Sequence, residues 1–208
     1  GLGKTIIGTL IIKRFLSVPE NDGRERKVLI IPPPAIQSGW KKTIAMFDKD
    51  SDEKIAPYID FITTGRIANI TEEDDWEEND DDSADSGEFV GTLQDKNYGF
   101  IIIDESHKFR NSTTFMYRSL DELIIKIGSN TGVYPYIGLL SATPQNNRPN
   151  DLKNQIYLFE RNRNDSTLKK AESGNIEKFF ADVNREYDLL INNRSNITEE
   201  ERKQRLEA

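Results

Sequence analysis

Cysteine is absent from the 208 residues, histidine occurs once, and methionine and tryptophan occur twice each. Without thiols there is no disulfide framework and no thiolate metal site, and the lone imidazole, His107, is too few for a structural zinc centre. No apolar run approaches the roughly eighteen residues of a membrane helix. Nor does a basic-then-apolar leader with a small-residue cleavage site open the chain. Composition therefore predicts no membrane partner and a cytosolic setting, with enough length for one sizeable core and a helical appendage.

Charge is plentiful instead: 31% of residues are charged, with 36 acidic against 28 basic, for a net of -8. Eleven of the carboxylates fall between Glu72 and Glu88, where Lys and Arg are missing. The remainder carries 28 basic and 25 acidic residues. The acidity is thus largely one segment, which has almost no apolar content besides Trp76. Such a segment cannot bury enough surface to offset its ordering entropy, so 72–88 is expected to be a disordered insertion.

Hydrophobic periodicity places a helix over Lys4 to Phe15, where Ile6, Ile7, Leu10, Ile11 and Phe15 recur near helical spacing. Lys27 to Ile31 reads as a strand stopped by three prolines, and Ala35 to Phe47 as a helix with Ile36, Trp40, Ile44 and Phe47 on one face. Further strands are expected at 59–65, 98–105 and 136–141, with a helix at 115–127. Strands alternating with helices imply right-handed crossovers and an α/β fold with a mostly parallel central sheet flanked by helices. From about residue 151 only helices are expected, at 152–159, 176–191 and 198–206, the last with Thr198 and Glu201 in capping-box spacing. The expected division is a lobe over 1–160 and a helical extension over 161–208.

In a parallel sheet, reactive groups gather at the strands' carboxyl edge. Gly1-Leu2-Gly3-Lys4-Thr5 matches the back half of a phosphate-binding loop, G-x-x-x-x-G-K-[ST], whose first Gly and feeding strand would lie upstream of residue 1; the plainer reading of these five residues alone is a turn before a helix. There, backbone amides and a helix N-terminus cradle phosphates, Lys reaches the terminal phosphates and the hydroxyl ligates Mg²⁺. The strand ending Ile103-Asp104-Glu105-Ser106-His107 supplies two carboxylates. Asp104 suits a Mg²⁺ shell and Glu105 the activation of water. The plainer reading of that pair is a helix N-cap with a favourable dipole contact. His107 is either a loop histidine or a hydrogen-bond relay to Ser141-Ala142-Thr143-Pro144, whose hydroxyls in turn either couple to the site or satisfy local backbone.

These motifs, in this order, resemble motifs I, II and III of superfamily 2 helicases, and most nearly those of the SWI/SNF-like DNA-dependent ATPases. Three further stretches share the resemblance. Val28 to Trp40, with its prolines and helix-borne Trp, is similar to motif Ia, and Phe61-Ile62-Thr63-Thr64 to motif Ib. His107-Lys108-Phe109-Arg110-Asn111 and Pro144-Gln145-Asn146-Asn147 with Asp151-Leu152 resemble the family's extensions of motifs II and III. The resemblance covers about residues 1 to 160. It implies the first of two RecA-like lobes of a double-stranded DNA translocase, with ATP and Mg²⁺ as cofactors. Lys4, Asp104 and Glu105 are then catalytic, while Gly1, Gly3, Lys4, Thr5 and His107 meet the nucleotide. Thr5 and Asp104 hold the metal, and Ser141 and Thr143 couple the site to movement.

The resemblance also implies that Pro34, Gln37, Lys41, Lys42, Thr63, Thr64 and Arg66 touch a DNA phosphate backbone, which requires no sequence reading. The plainer alternative for Lys41 and Lys42 is the solvated face of an amphipathic helix, and Trp40 reads as a core anchor. The arginine fingers would come from a second RecA-like lobe. The expectation is therefore a parent that hydrolyses ATP, with this stretch alone inactive. Such a protein would sit on a bacterial nucleoid or in a nucleus. Two alternatives stay open: an RNA or single-strand helicase lobe of the DEAD or DExH type, and a nonenzymatic DNA-binding module that keeps the fold. The acidic segment is either a solvated loop or a polyanion that competes with phosphates for basic side chains.

Overall fold

The computed structural model describes residues 2–18, 22–67, 96–142, 148–161, 166 and 175–192. The expected acidic insertion at 72–88 and the helix at 198–206 lie outside them. The chain forms two compact units, Gly1–Pro144 and Gln145–Ala208. Among the described residues no helix is long and apolar enough to cross a membrane.

The first unit is an α/β layer structure. Helix α1 (Leu2–Ser17) precedes strand β1 (Val28–Ile31), helix α2 (Pro34–Asp48), strand β2 (Ile59–Phe61), strand β3 (Phe100–Asp104), helix α3 (Phe115–Thr131) and strand β4 (Tyr136–Leu140). The four strands pair in parallel in the order β2-β1-β3-β4. Val28 sits opposite Ile59 on one side and Phe100 on the other, and Phe100 opposite Tyr136, so all four strands begin level.

The sequence dictates where each element stops. β1 is four apolar residues, all buried, because a parallel strand between two neighbours is covered on both faces. Pro32 and Pro33 have no N–H to donate to a neighbouring strand, and Pro34 occupies the first turn of α2, where a missing N–H costs nothing. Helix α3 starts at Thr114, whose hydroxyl accepts from the Tyr117 amide, and runs a turn beyond the expected Ile127. It ends at Gly132, whose left-handed φ of 77° lets its amide close on the Gly128 carbonyl at 2.9 Å. β2 is shorter than the expected 59–65. After Phe61 only alternate amides, Ile62 and Thr64, continue towards Ile30 and Pro32, before a turn closes on the Thr63 carbonyl.

α1 and α2 lie on the same sheet face. Ile12, Phe15 and Leu16 of α1 join Trp40 and Ile44 of α2 over Val28, Ile30, Phe100 and Ile102 in one buried cluster. By area, a fully buried side chain of this kind is worth about 1.5–3 kcal/mol, so this cluster fixes where the N-termini of both helices emerge: at the carboxyl edge of the sheet.

The second unit contains helix α4 (Pro149–Ile156) and helix α5 (Ile176–Asn192). α4 begins three residues ahead of the expected Leu152 because Pro149 is accepted in its first turn. Tyr157, Ile176 and Phe180 are buried together against Ile156, and Lys153 Nζ lies 3.3 Å from Glu177 Oε2. So α4, which the sequence groups with the first 160 residues, packs with α5.

Candidate active site

The carboxyl end of β3 and the first turn of α1 meet in one charged cluster. Asp104 is the last strand residue, and Glu105 follows in the left-handed region at φ 52°, ψ 49°. For a residue with a Cβ this costs about 1–2 kcal/mol, and strain of this kind gathers where a side chain must be aimed. Here it directs the Glu105 carboxylate back over the sheet edge. Lys4 Nζ donates to Glu105 Oε1 at 2.5 Å and lies 3.7 Å from Asp104 Oδ1. Residues 101 positions apart are thus brought into direct contact.

The two carboxylates differ in setting. The Asp104 side chain is 2% exposed and that of Glu105 26%. Asp104 Oδ1 accepts the Glu105 amide at 2.8 Å, and Oδ2 accepts Trp40 Nε1 at 2.9 Å. A buried carboxylate tolerates desolvation only when held in this way. Glu105 is held by the Lys4 ammonium, whose hydrogen bond keeps its carboxyl below the ordinary carboxylate value, outweighing the opposite push of burial. It stands at the N-cap position of a short 3₁₀ turn, Ser106–Phe109, but its side chain makes no capping bond. The N-cap reading of the pair is therefore corrected: the side chain turns to Lys4 because an ammonium attracts it more strongly than a short helix end.

His107 Nδ1 lies 3.2 Å from Glu105 Oε2, yet off the line of a hydrogen bond, so this buried nitrogen has no hydrogen-bond partner among the described residues. Gly3 is exposed and Thr5 half-buried in the first turn of α1. Ser141 is half-buried just past β4. Gly1 and Thr143 fall outside the described residues.

Among the described residues no group of three or more His, Cys, Asp or Glu side chains could cage a metal. The donors beside Lys4 are oxygens. That set fits Mg²⁺, which takes one or two protein oxygens and completes its shell with waters and substrate phosphates.

The candidate phosphate-backbone residues lie around the ends of β1 and β2. Pro34 opens α2, Lys41 and Lys42 are exposed along it, and Gln37 is half-buried. Thr63 is half-buried and Arg66 exposed in the turn after β2. The Thr64 amide donates to the Pro32 carbonyl at 3.1 Å, joining the two segments. Thr64 itself is buried, which leaves it out of the exposed set. Lys41 Nζ also stands 5.7 Å from the centre of the Phe61 ring, a cation–π contact between α2 and β2.

No family model matches the chain. A Bacillus subtilis (strain 168) protein described as an uncharacterized ATP-dependent helicase, YqhH, is 28% identical over 160 residues, which are 77% of this chain and 25% of that protein. The chain resembles an ATP-dependent helicase lobe. It spans about a quarter of that relative's length. A solved structure, the Sulfolobus solfataricus SWI2/SNF2 ATPase core in complex with double-stranded DNA, covers 86% of this chain and 35% of its own at 18% identity and a TM-score of 0.48. The parallel sheet with flanking helices is the α/β fold expected from the sequence.

Two contributors to the cluster escape a reading of the sequence for charged groups. Trp40 reads as a core anchor, and it is fully buried. Its N–H on Asp104 is the part missed, although a buried indole N–H must find some acceptor. Gly8 is the other, since only the fold shows that the Trp40 ring occupies the place of its missing side chain.

Proposed function

We propose that this chain is the ATP-binding lobe of an ATP-dependent double-stranded DNA translocase, a helicase-like protein that hydrolyses ATP to move along DNA. The observation that carries the reading is the Lys4 ammonium beside Asp104 and Glu105 at the N-terminus of α1. A lysine at a helix N-terminus, with unpaired backbone amides around it, is an anion site. Two carboxylates next to it have no use for an anion alone, but they suit an anion that arrives with a cation and a water.

In this reading Gly1, Gly3 and Lys4 hold the phosphates of ATP, with His107 beside them, and Thr5 and Asp104 hold Mg²⁺. The metal, when bound, neutralises charge on the β and γ oxygens. Lys4 exchanges Glu105 for the phosphates, and the freed carboxylate accepts a proton from the water that attacks the γ-phosphorus in line, as the bond from that phosphorus to the bridging oxygen breaks and ADP leaves with the electron pair. Ser141 and Thr143 pass the change to the rest of the motor. Pro34, Gln37, Lys41, Lys42, Thr63 and Arg66, with Thr64 fixing their turn, follow the phosphates of one DNA strand. Arginines from a second RecA-like lobe complete the transition-state charge, so the isolated chain does not turn over.

The test is hydrolysis by the intact protein with duplex DNA, single-stranded DNA or single-stranded RNA added. The reading expects stimulation by duplex DNA. Stimulation by RNA alone would replace DNA translocation with an RNA helicase, and no hydrolysis under any condition would leave a nonenzymatic module.

A further inference from the structure

Trp40 lies between three of the segments that form the site. Its ring is fully buried, and Nε1 donates to Asp104 Oδ2 at 2.9 Å across 64 positions of sequence. On its far side the ring fills the space at Gly8 of α1: a Cβ there would stand 2.4 Å from Trp40 Cη2, 3.2 Å from Cζ3 and 3.3 Å from Leu140 Cδ1 of β4. Gly8 therefore serves as a recess for the indole, four residues after Lys4. Asp104 Oδ1 is already fixed by the Glu105 amide, so the tilt of the carboxylate is set by what holds Oδ2.

A buried tryptophan could satisfy its one donor on any backbone carbonyl. This one takes the carboxylate proposed to hold the metal. An indole is rigid and directional, so the angle of the Asp104 carboxylate follows the placement of α2 against α1. We propose that Trp40 is a positioning residue for Asp104: its N–H orients the carboxylate toward the cation, and Gly8 holds the ring in place. The proposal rests on the Mg²⁺-nucleotide reading given above. Partners that orient a metal-binding carboxylate typically change metal affinity about 10–100-fold when lost.

The test replaces Trp40 in the intact protein by Phe and, separately, by 3-benzothienylalanine, which keeps the bicyclic outline and lacks the N–H. Binding of a fluorescent ATP analogue is titrated with Mg²⁺. Both variants are expected to need about tenfold more Mg²⁺ for half-saturation, with affinity in EDTA unchanged. Gly8→Ala, which pushes the ring without touching Asp104, shifts the requirement in the same direction, and adds little when combined with Trp40→Phe. A benzothienylalanine variant that melts with the wild type and keeps the wild-type Mg²⁺ requirement overturns the proposal, leaving Trp40 as packing alone. Unmodified protein that binds no Mg²⁺-nucleotide overturns the functional reading, and the positioning role with it. The two failures are read on different proteins and cannot be confused.

Discussion

At the amino end of the sheet, Asp60 of β2 accepts from Tyr98 Oη and from Lys96 Nζ, both at 2.9 Å. Nearby, Tyr136 Oη donates to Asp22, and the Arg24 guanidinium lies 4.0 Å from the centre of the Tyr136 ring while its Nε donates to the Tyr134 carbonyl. At the carboxyl end, Lys4 pairs with Glu105, and His107 Nδ1 approaches the same carboxylate without a hydrogen bond. Both ends hold a lysine on a carboxylate. The amino end does so with Asp60, Lys96 and Tyr98 outside the left-handed region, and its left-handed Asp22, at φ 50°, sits in a turn where Asp tolerates that conformation; at the carboxyl end the left-handed residue is Glu105, the paired carboxylate itself. Paired groups on relaxed backbone add stability; a strained residue and an unsatisfied nitrogen lower it and keep the groups available. The carboxyl end is where chemistry is to be sought, and substitutions at the two ends should separate activity from stability.

Glu105→Gln gives the largest effect expected. It preserves shape and removes the base, so turnover in the intact protein should fall by about 10²–10⁴-fold, while equilibrium binding of ATP persists. Full DNA-stimulated hydrolysis by this variant would remove Glu105 from the mechanism and with it the contrast between the ends.

Gly99→Ala tests the amino end by crowding. A Cβ there would stand 2.0 Å from the Glu25 carbonyl oxygen and 2.9 Å from Phe15 Cζ, and the first of these is backbone that cannot rotate away. Overpacking of this kind costs about 1–3 kcal/mol. A lowered melting temperature is expected, with hydrolysis per folded molecule unchanged. A variant as stable as the wild type would show that this end yields more easily than its packing implies.

A third substitution measures the strain directly. Glycine meets no Cβ penalty at φ 52°, so Glu105→Gly should be more stable than Glu105→Gln by about 1 kcal/mol, although it removes more atoms. Chemical denaturation of the two inactive variants compares them on equal terms. If the glycine variant is the weaker, Glu105 is not strained and the argument from its backbone fails.

How far these features are legible follows from the kind of signal each leaves. β3 announces itself as Phe100 to Ile103, an apolar run before two carboxylates, and every residue of the strand is buried. The prolines at 32–34 mark the start of α2 to within a residue of the expected Ala35. That Lys4, Asp104 and Glu105 meet is legible because a parallel sheet brings the end of β3 and the start of α1 to one edge. Boundaries set by tertiary contact are not: β2 gives up its last residues to a turn at Thr63, and α3 continues until Gly132 permits a reversal. The Trp40–Asp104 bond is invisible for a different reason. Sequence periodicity tells that an indole is buried, never which acceptor its N–H meets. The Asp60, Lys96 and Tyr98 cluster is equally silent, since it joins β2 to the segment that precedes β3, a meeting that depends on the order of the strands in the sheet.

Tyr98→Phe carries the smallest expected effect, and its pH dependence makes it the most specific. The phenol is 1% exposed, and its burial, with the charge and hydrogen bond of Asp60, pushes its pKa well above the ordinary value of 10.0. Loss of the hydroxyl should cost about 1 kcal/mol at neutral pH, the net worth of a hydrogen bond. In alkali that cost shrinks. The native phenol keeps its proton, while the unfolded one releases it above about pH 10, so the stability it contributes is fully present below that pH and is lost as pH rises. The phenyl ring of the variant has no proton to release. The gap between wild type and variant should therefore narrow by about 1.4 kcal/mol per pH unit above 10, and close near pH 11. Urea unfolding of both proteins at pH 7 and pH 11 measures it. An equal gap at the two pH values would mean that Tyr98 ionises in the folded protein as readily as in the unfolded chain, and the amino end would then be no more tightly closed than the carboxyl end.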